Sequence, residues 1–290
     1  MRLVSSILLL LFLAAGCNHP TEVVVQPLGS EQEDPLDVTP LQMVDTTTYQ
    51  GGIDSLALTP VDQARFAGLM LVTNTVFDKG SSVVSKASSR VLFADLNRPY
   101  SHLGEILGGF GLRLKVPLTI NGLVMVPIPH IIRAASVAIP WGVEYYRDLT
   151  GTFRQDTDYT WSAGEDSLGA IGIPIHAPPS IAVNSPQGGG VYTRDQDLKL
   201  RWTGNGDMTI YLSVWRPLTG KTLPIMKLHP LGTRGHAVLA SKILRALPRE
   251  RFYVFTFVLA DRNESVHIAR FNGEILAQGS SVYNTYVELQ

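Results

Sequence analysis

The stretch LKLRWTGNGDMTIYLSVW, residues 198–215, decides the fold. Leu198, Leu200 and Trp202 alternate with Lys199 and Arg201, so an extended chain puts the apolar side chains on one face and the cations on the other. Gly204-Asn205-Gly206-Asp207 supplies turn residues, and the chain returns through the β-branched and aromatic run 208–215. Short apolar runs recur on both sides of this pair, at 180–184, 223–228, 237–240, 252–259, 266–271 and 282–289. Turn signals separate them at 185–190, 217–220, 261–263 and 272–273. Strands at this spacing predict an antiparallel β-sandwich over residues 180–290.

The strand pattern continues upstream. Residues 67–77 (AGLMLVTNTVF) form a β-branched run closed by Asp78-Lys79-Gly80, and residues 90–96 form a second. Leu112, Leu114, Val116, Leu118 and Ile120 alternate with Arg113, Lys115, Pro117 and Thr119. Asn121-Gly122, the pair best suited to a two-residue type I′ turn, leads into a return strand at 123–128. Pro117, Pro127 and Pro129 cannot donate to a ladder and place this hairpin at an edge. Residues 130–137 are expected as a short helix ending before Pro140, and Tyr159 and Trp161 fall on one side of a closing strand. Residues 166–179, rich in Gly, Pro and small side chains, read as a linker between two domains, with the alternative that 171–175 continues the first sheet. The expected fold class is therefore all-β, with a β-rich domain at 56–165 and a sandwich at 180–290.

The order of strands in the second module resembles immunoglobulin-like or fibronectin type III domains. Ser185-Pro186 ends the first strand, 198–202 forms the second with a core Trp202, and Tyr253, Phe255, Phe257 and Leu259 line a late central strand. The resemblance implies a fold and carries no active site.

The N-terminus specifies an address. Arg2 precedes an apolar run from Leu3 to Leu13, then Ala14-Ala15-Gly16-Cys17, where Cys17 is the only cysteine among 290 residues. The run has the layout of a signal peptide (1–16) and is too short for a stable span. Leu13 to Cys17 resembles the lipobox of bacterial lipoproteins, with Ala14 where Leu is commonest. The resemblance implies that Cys17 is lipidated and becomes the first mature residue. Two or three acyl chains hold a protein lastingly, at about 0.8 kcal/mol per buried CH₂. Asn18 stands where an Asp retains many Gram-negative lipoproteins at the inner membrane, so the resemblance implies the outer membrane, or the cell membrane of a Gram-positive organism. Residues 18–55 carry seven carboxylates, no Lys or Arg, and Pro20, Pro27, Pro35 and Pro40. With the anchored Cys17 they read as a disordered acidic tether of residues 17–55, with Val23-Val24-Val25 as its one strand-forming run.

The net charge of −1 gives no basis for nucleic-acid binding. Residues 180–290 hold thirteen Lys and Arg against eight Asp and Glu, and Arg245, Arg249 and Arg251 cluster as a candidate patch for an anionic ligand. Trp215, beside Arg216-Pro217 at a strand end, is the candidate for stacking on a sugar, whereas Trp161 and Trp202 read as core. Asp156-x-Asp158 and Asp195-x-Asp197 offer paired carboxylates for Ca²⁺, with turn geometry the simpler reading. His229 and His236 flank a turn and fall short of the three or four ligands a zinc site needs. No catalytic centre, metal or cofactor is expected. The expected role is a lipid-anchored envelope component with a structural or binding function toward a protein or glycan. The alternative is a glycan hydrolase, which requires two carboxylates about 5–9 Å apart in a cleft.

Overall fold

A computed structural model of the protein describes residues 33–41, 66–102, 105–134, 137–165, 168–204, 206–271 and 273–290. The signal segment, Cys17, the run 23–25 and most of the tether lie outside them. The described strands are β1 (Leu36–Pro40), β2 (Gly68–Asp78), β3 (Val83–His102), β4 (Glu105–Gly111), β5 (Thr119–Ile120), β6 (Leu123–Val124), β7 (Val126–Ala134), β8 (Val137–Asp148) and β9 (Thr157–Ala163). They continue with β10 (Ile171–Ala177), β11 (Ala182–Ser185), β12 (Val191–Tyr192), β13 (Leu198–Thr203), β14 (Met208–Arg216), β15 (Lys221–Pro230), β16 (His236–Leu239), β17 (Phe252–Val266) and β18 (Ile275–Leu289). One short helix, α1 (Ser241–Ala246), precedes β17.

The fold is all-β and built as a sandwich. One large sheet runs in the order β1-β15-β14-β17-β18-β2-β3-β4-β8-β7, with β12 added beside β18. Two small sheets, β10-β9-β5-β6 and β11-β13-β16, cover parts of it. Alternation dictates what each strand presents. Leu198, Leu200 and Trp202 of β13 face Ile210, Leu212 and Val214 of β14 and Tyr253, Phe255 and Phe257 of β17 in one core. Tyr159 and Trp161 of β9 and Ile171, Ile173 and Ile175 of β10 face Met70, Val72, Val91 and Phe93 in the other.

β18 joins these cores. It pairs antiparallel with β17 on one side and parallel with β2 on the other, from Ile275 opposite Gly68 to Thr285 opposite Asp78. Ile275 and Ala277 enter the first core and Val287 and Leu289 the second, all on one face of the strand. Between them the crossing chain lies directly on the strand. Ser281 Oγ donates to Pro178 O at 3.1 Å and Thr285 Oγ1 to Pro186 O at 3.1 Å. A Cβ on Gly279 would collide with the His176 carbonyl, so that position requires glycine. The opposite face is buried as well, with Thr73 bonded to Ser280 at 2.8 Å and Thr256 to Asn284 at 2.7 Å. Leu41 and Phe66 pack on this face, against Tyr211, Val258 and Val282 and against Leu69, Leu71 and Leu276 respectively.

Several sequence expectations are corrected. The described residues of 130–137 form no helix; they belong to β7 and β8. Ile131, Ile132, Val137 and Ile139 are β-branched, and so short a segment cannot offset helix nucleation when a pairing partner is adjacent. Within the expected linker, β10 pairs with β9 along its length and buries Ile171, Ile173, Ile175 and Ala177. Its alternation was visible, and the alternative reading of 171–175 is the one the structure follows. Within the expected tether, Leu36–Pro40 pairs with the edge of β15 because Leu36 and Val38 pack on the second core there. The expected turn at 261–263 continues β17, while 267–271 is irregular. Residues 112–118 keep the predicted apolar face without a ladder, and Asn121-Gly122 turns with φ of 45° and 77°.

Candidate functional site

The two candidate features of the second module lie together at one end of the large sheet. Trp215 is the penultimate residue of β14, Phe252 begins β17 and Tyr286 lies near the end of β18, all projecting from the face opposite the cores. Tyr286 meets the Trp215 ring edge-on with centroids 4.8 Å apart, and Phe252 does so at 5.9 Å. Lys79, just past β2, places its Nζ 5.5 Å from the Trp215 centroid and 5.2 Å from that of Tyr286. Trp215 is thus half-buried, with one cation already on its ring. Burial pushes the Tyr286 hydroxyl up from its ordinary pKa.

Arg251 joins this platform by lying over Phe252, with its guanidinium carbon 5.2 Å from the ring centroid. Its Nε donates to Glu288 at 2.9 Å, which holds the Glu288 carboxyl below its usual range together with the Gln290 amide. Arg216 reaches Glu250 at 3.6 Å. Beside them a shallow hollow of about 460 Å³ is lined by Arg194, Arg249, Glu250, Arg251, Glu288, Leu289 and Gln290. The structure therefore brings Arg249, Arg251 and Trp215 to one end of the sheet. It leaves Arg245 on the exposed side of α1, outside the lining of the hollow.

Arg194, which the sequence gave no reason to single out, organises the region. Its guanidinium donates to the carbonyls of Leu244 and Leu247 at 3.2 Å, Pro248 at 2.9 Å and Glu250 at 2.7 Å, and to the Tyr253 hydroxyl at 3.2 Å. At the other end of α1, Asp197 accepts from the Ser241 amide at 2.7 Å. One loop thus sets an anion at the N-terminus and a cation at the C-terminus of the same helix, matching the orphan backbone groups there. The Arg194 charge is spent on this clamp and Arg251 on Glu288. Arg249 has no ion-pair partner among the described residues and is the cation of the hollow left for a ligand.

Other candidates resolve into structure. Trp161 and Trp202 are core, and the Trp161 indole donates to Ser89 at 2.9 Å. Asp156 and Asp158 flank His176, at 3.3 Å from Nε2 and 2.9 Å from Nδ1, so the two carboxylates hold opposite sides of one ring instead of converging on a cation. His229 contacts Asp207 and His236 contacts the Arg234 carbonyl. No group of three metal-ligating side chains is assembled among the described residues. Among the described residues two carboxylates are buried. Asp34 accepts the Arg234 amide at 2.8 Å beside β1, whereas Glu144 on β8 lies toward the other end of the sheet. Glu144 receives Arg90 at 2.6 Å and His130 at 3.3 Å. Burial alone would raise its pKa, but these partners outweigh it and hold the carboxyl below its usual range.

No protein-family model matches the chain, and no curated protein matches it.

Proposed function

We propose that this protein is a bacterial envelope lipoprotein, anchored through Cys17 and held at the outer membrane, whose β-sandwich body serves as a non-enzymatic binding component. The observation that supports the binding role best is the half-exposed platform of Trp215, Phe252 and Tyr286 bordered by Lys79, Arg251 and the uncommitted Arg249. Aromatic edges and cations side by side suit an anionic glycan, whose ring hydrogens pack on the aromatic surface and whose carboxylate or phosphate meets guanidinium.

Glycan arrays and titrations at two salt concentrations test this role. Arg249→Ala should weaken binding of an anionic polysaccharide several-fold and flatten its salt dependence, while Arg245→Ala should have the smaller effect. Equal effects, or none from Arg249→Ala, would remove the hollow from the account. Anchoring is tested separately. Cys17→Ser should abolish incorporation of a labelled fatty acid, and unchanged labelling would refute the anchor.

A further inference from the structure

The platform of Trp215, Phe252 and Tyr286 continues across the sheet. Val72 of β2 faces the first core, so by alternation Phe77 points to the opposite face, and Val84, its partner on β3, points with it. On β18, Asn284 stands opposite Phe77, two residues before Tyr286 on the same face. Trp215, Phe252, Tyr286 and Phe77 therefore put one aromatic side chain on each of the neighbouring strands β14, β17, β18 and β2, and Val84 extends the row onto β3. The four rings are half-buried and Val84 is 46% exposed. Farther inward along these strands the same face closes: Tyr211, Thr256, Asn284 and Thr75 are buried, and Leu41 packs on Tyr211.

Cations are set along the row. Lys79 lies at the rings of both Trp215 and Tyr286, Arg251 lies over Phe252, and Arg249 borders the adjoining hollow. Of the two carboxylates beside them, Glu288 is paired with Arg251 and Glu250 with Arg216, whereas Lys79 has no ion pair among the described residues. From β14 to β3 the row crosses four inter-strand spacings, about 19 Å at the usual separation of strands, which is longer than one sugar ring. The strand spacing gives the row a repeat of its own, and a polymer with a short regular repeat can meet one side chain on each strand. The cations between the rings select an anionic polymer. An extended peptide fits less well, because the row lies on a sheet face whose backbone groups are already paired and offers no ladder to join.

We infer that the platform is one end of a track, running from Trp215 to Val84, that holds the chain of a linear anionic polysaccharide laid across the strands. The inference rests on the glycan reading of the platform and adds the form of the ligand: several consecutive sugars of one chain, not a single sugar or a chain end. Phe77 and Val84 then act as the far contacts, outside the hollow that Arg249 borders.

The test uses the chain starting at Asn18, which retains every described element, and oligogalacturonates, linear chains with one carboxylate on each sugar. The octasaccharide should bind about a hundredfold tighter than the disaccharide, where its extra registers alone would give roughly sevenfold. Phe77→Thr and Val84→Glu should each weaken octasaccharide binding about tenfold, with a loss that shrinks as the chain is shortened. Val84 is exposed, so Val84→Glu spares the core. Leu231→Glu, at an exposed leucine beyond the opposite end of β15, should leave every affinity unchanged. Disaccharide binding with no gain for the longer chain, or a gain that survives both track variants, overturns the inference and leaves the platform as a site for a single sugar. Binding of none of the chains overturns the inference together with the glycan reading. Polyglutamate binding as tightly as the octasaccharide also overturns it, since charge alone would then account for the contacts.

Discussion

The guanidinium of Arg194 makes five hydrogen bonds around the end of α1, four of them to backbone carbonyls, and it shares the Leu244 carbonyl with the Leu247 amide. Arg194→Met keeps much of the side chain's bulk and removes the donors. It should cost about 1.5–3 kcal/mol, read as a lower Tm, and should also shift Arg249 and Arg251, whose segment it pins. His176 titrates in the accessible range. Its hydrogen bond to Asp158 is the largest influence and raises its pKa; desolvation opposes it, and the weaker bond to Asp156 adds to the rise. Stabilisation from this trio is therefore complete below the pKa of free imidazole and is lost as pH rises through the higher folded value. The group is well exposed, so the effect on stability is small and the measurement is NMR: Asp158→Asn should lower the His176 midpoint, and an unchanged midpoint would contradict the geometry. At this scale the sequence was partly legible. Trp202 in an alternating strand announced a core residue, and Trp215 near a turn announced the partial exposure it has. Arg194, Lys79 and Tyr286 were not legible, because their partners are distant in sequence and only the assembled sheet brings them near.

Strands were most legible where one face alone is buried, although β10, buried that way, fell within the stretch read as a linker. β13 reads as an alternation in sequence and is buried at every second residue. β18 is the counterexample: Ile275 to Val282 is buried on both faces, so Gln278, Gly279, Ser280 and Ser281 gave no period, and only the last half of the strand was recognised. Its polar residues are accommodated by bonds across the sheet and to the crossing chain, which no local pattern encodes. The same reasoning makes Gly279 a sharp test of this element. Gly279→Val would drive side-chain atoms into the His176 carbonyl, forcing β10 off the strand, and should leave the protein unfolded or insoluble. A soluble variant with an unchanged Tm would show that the strand and the crossing are not in contact. In β7 and β8, the run around residues 130–137 was ambiguous in period, and pairing decided it in favour of strands.

At the scale of the molecule, the large sheet passes through both the 56–165 and the 180–290 segments by way of the β18–β2 ladder. Residues 180–290 expressed alone should therefore expose that edge of β18 from Ile275 to Thr285 and associate or precipitate. A monodisperse, cooperatively unfolding fragment would show that the ladder is dispensable. Sequence periodicity is local and cannot report which distant strand an edge recruits, so this continuity was beyond its reach. The proposed function places this continuous sandwich at a membrane, tied by Cys17, with a cationic aromatic platform at one end of its sheet. Intact-mass spectrometry of the protein extracted from membranes of a Gram-negative host tests that placement most directly. The account predicts a chain beginning at Cys17 that carries a diacylglyceryl group on its sulfur and an acyl group on its amine. An unacylated chain, or one beginning at another residue, would contradict it.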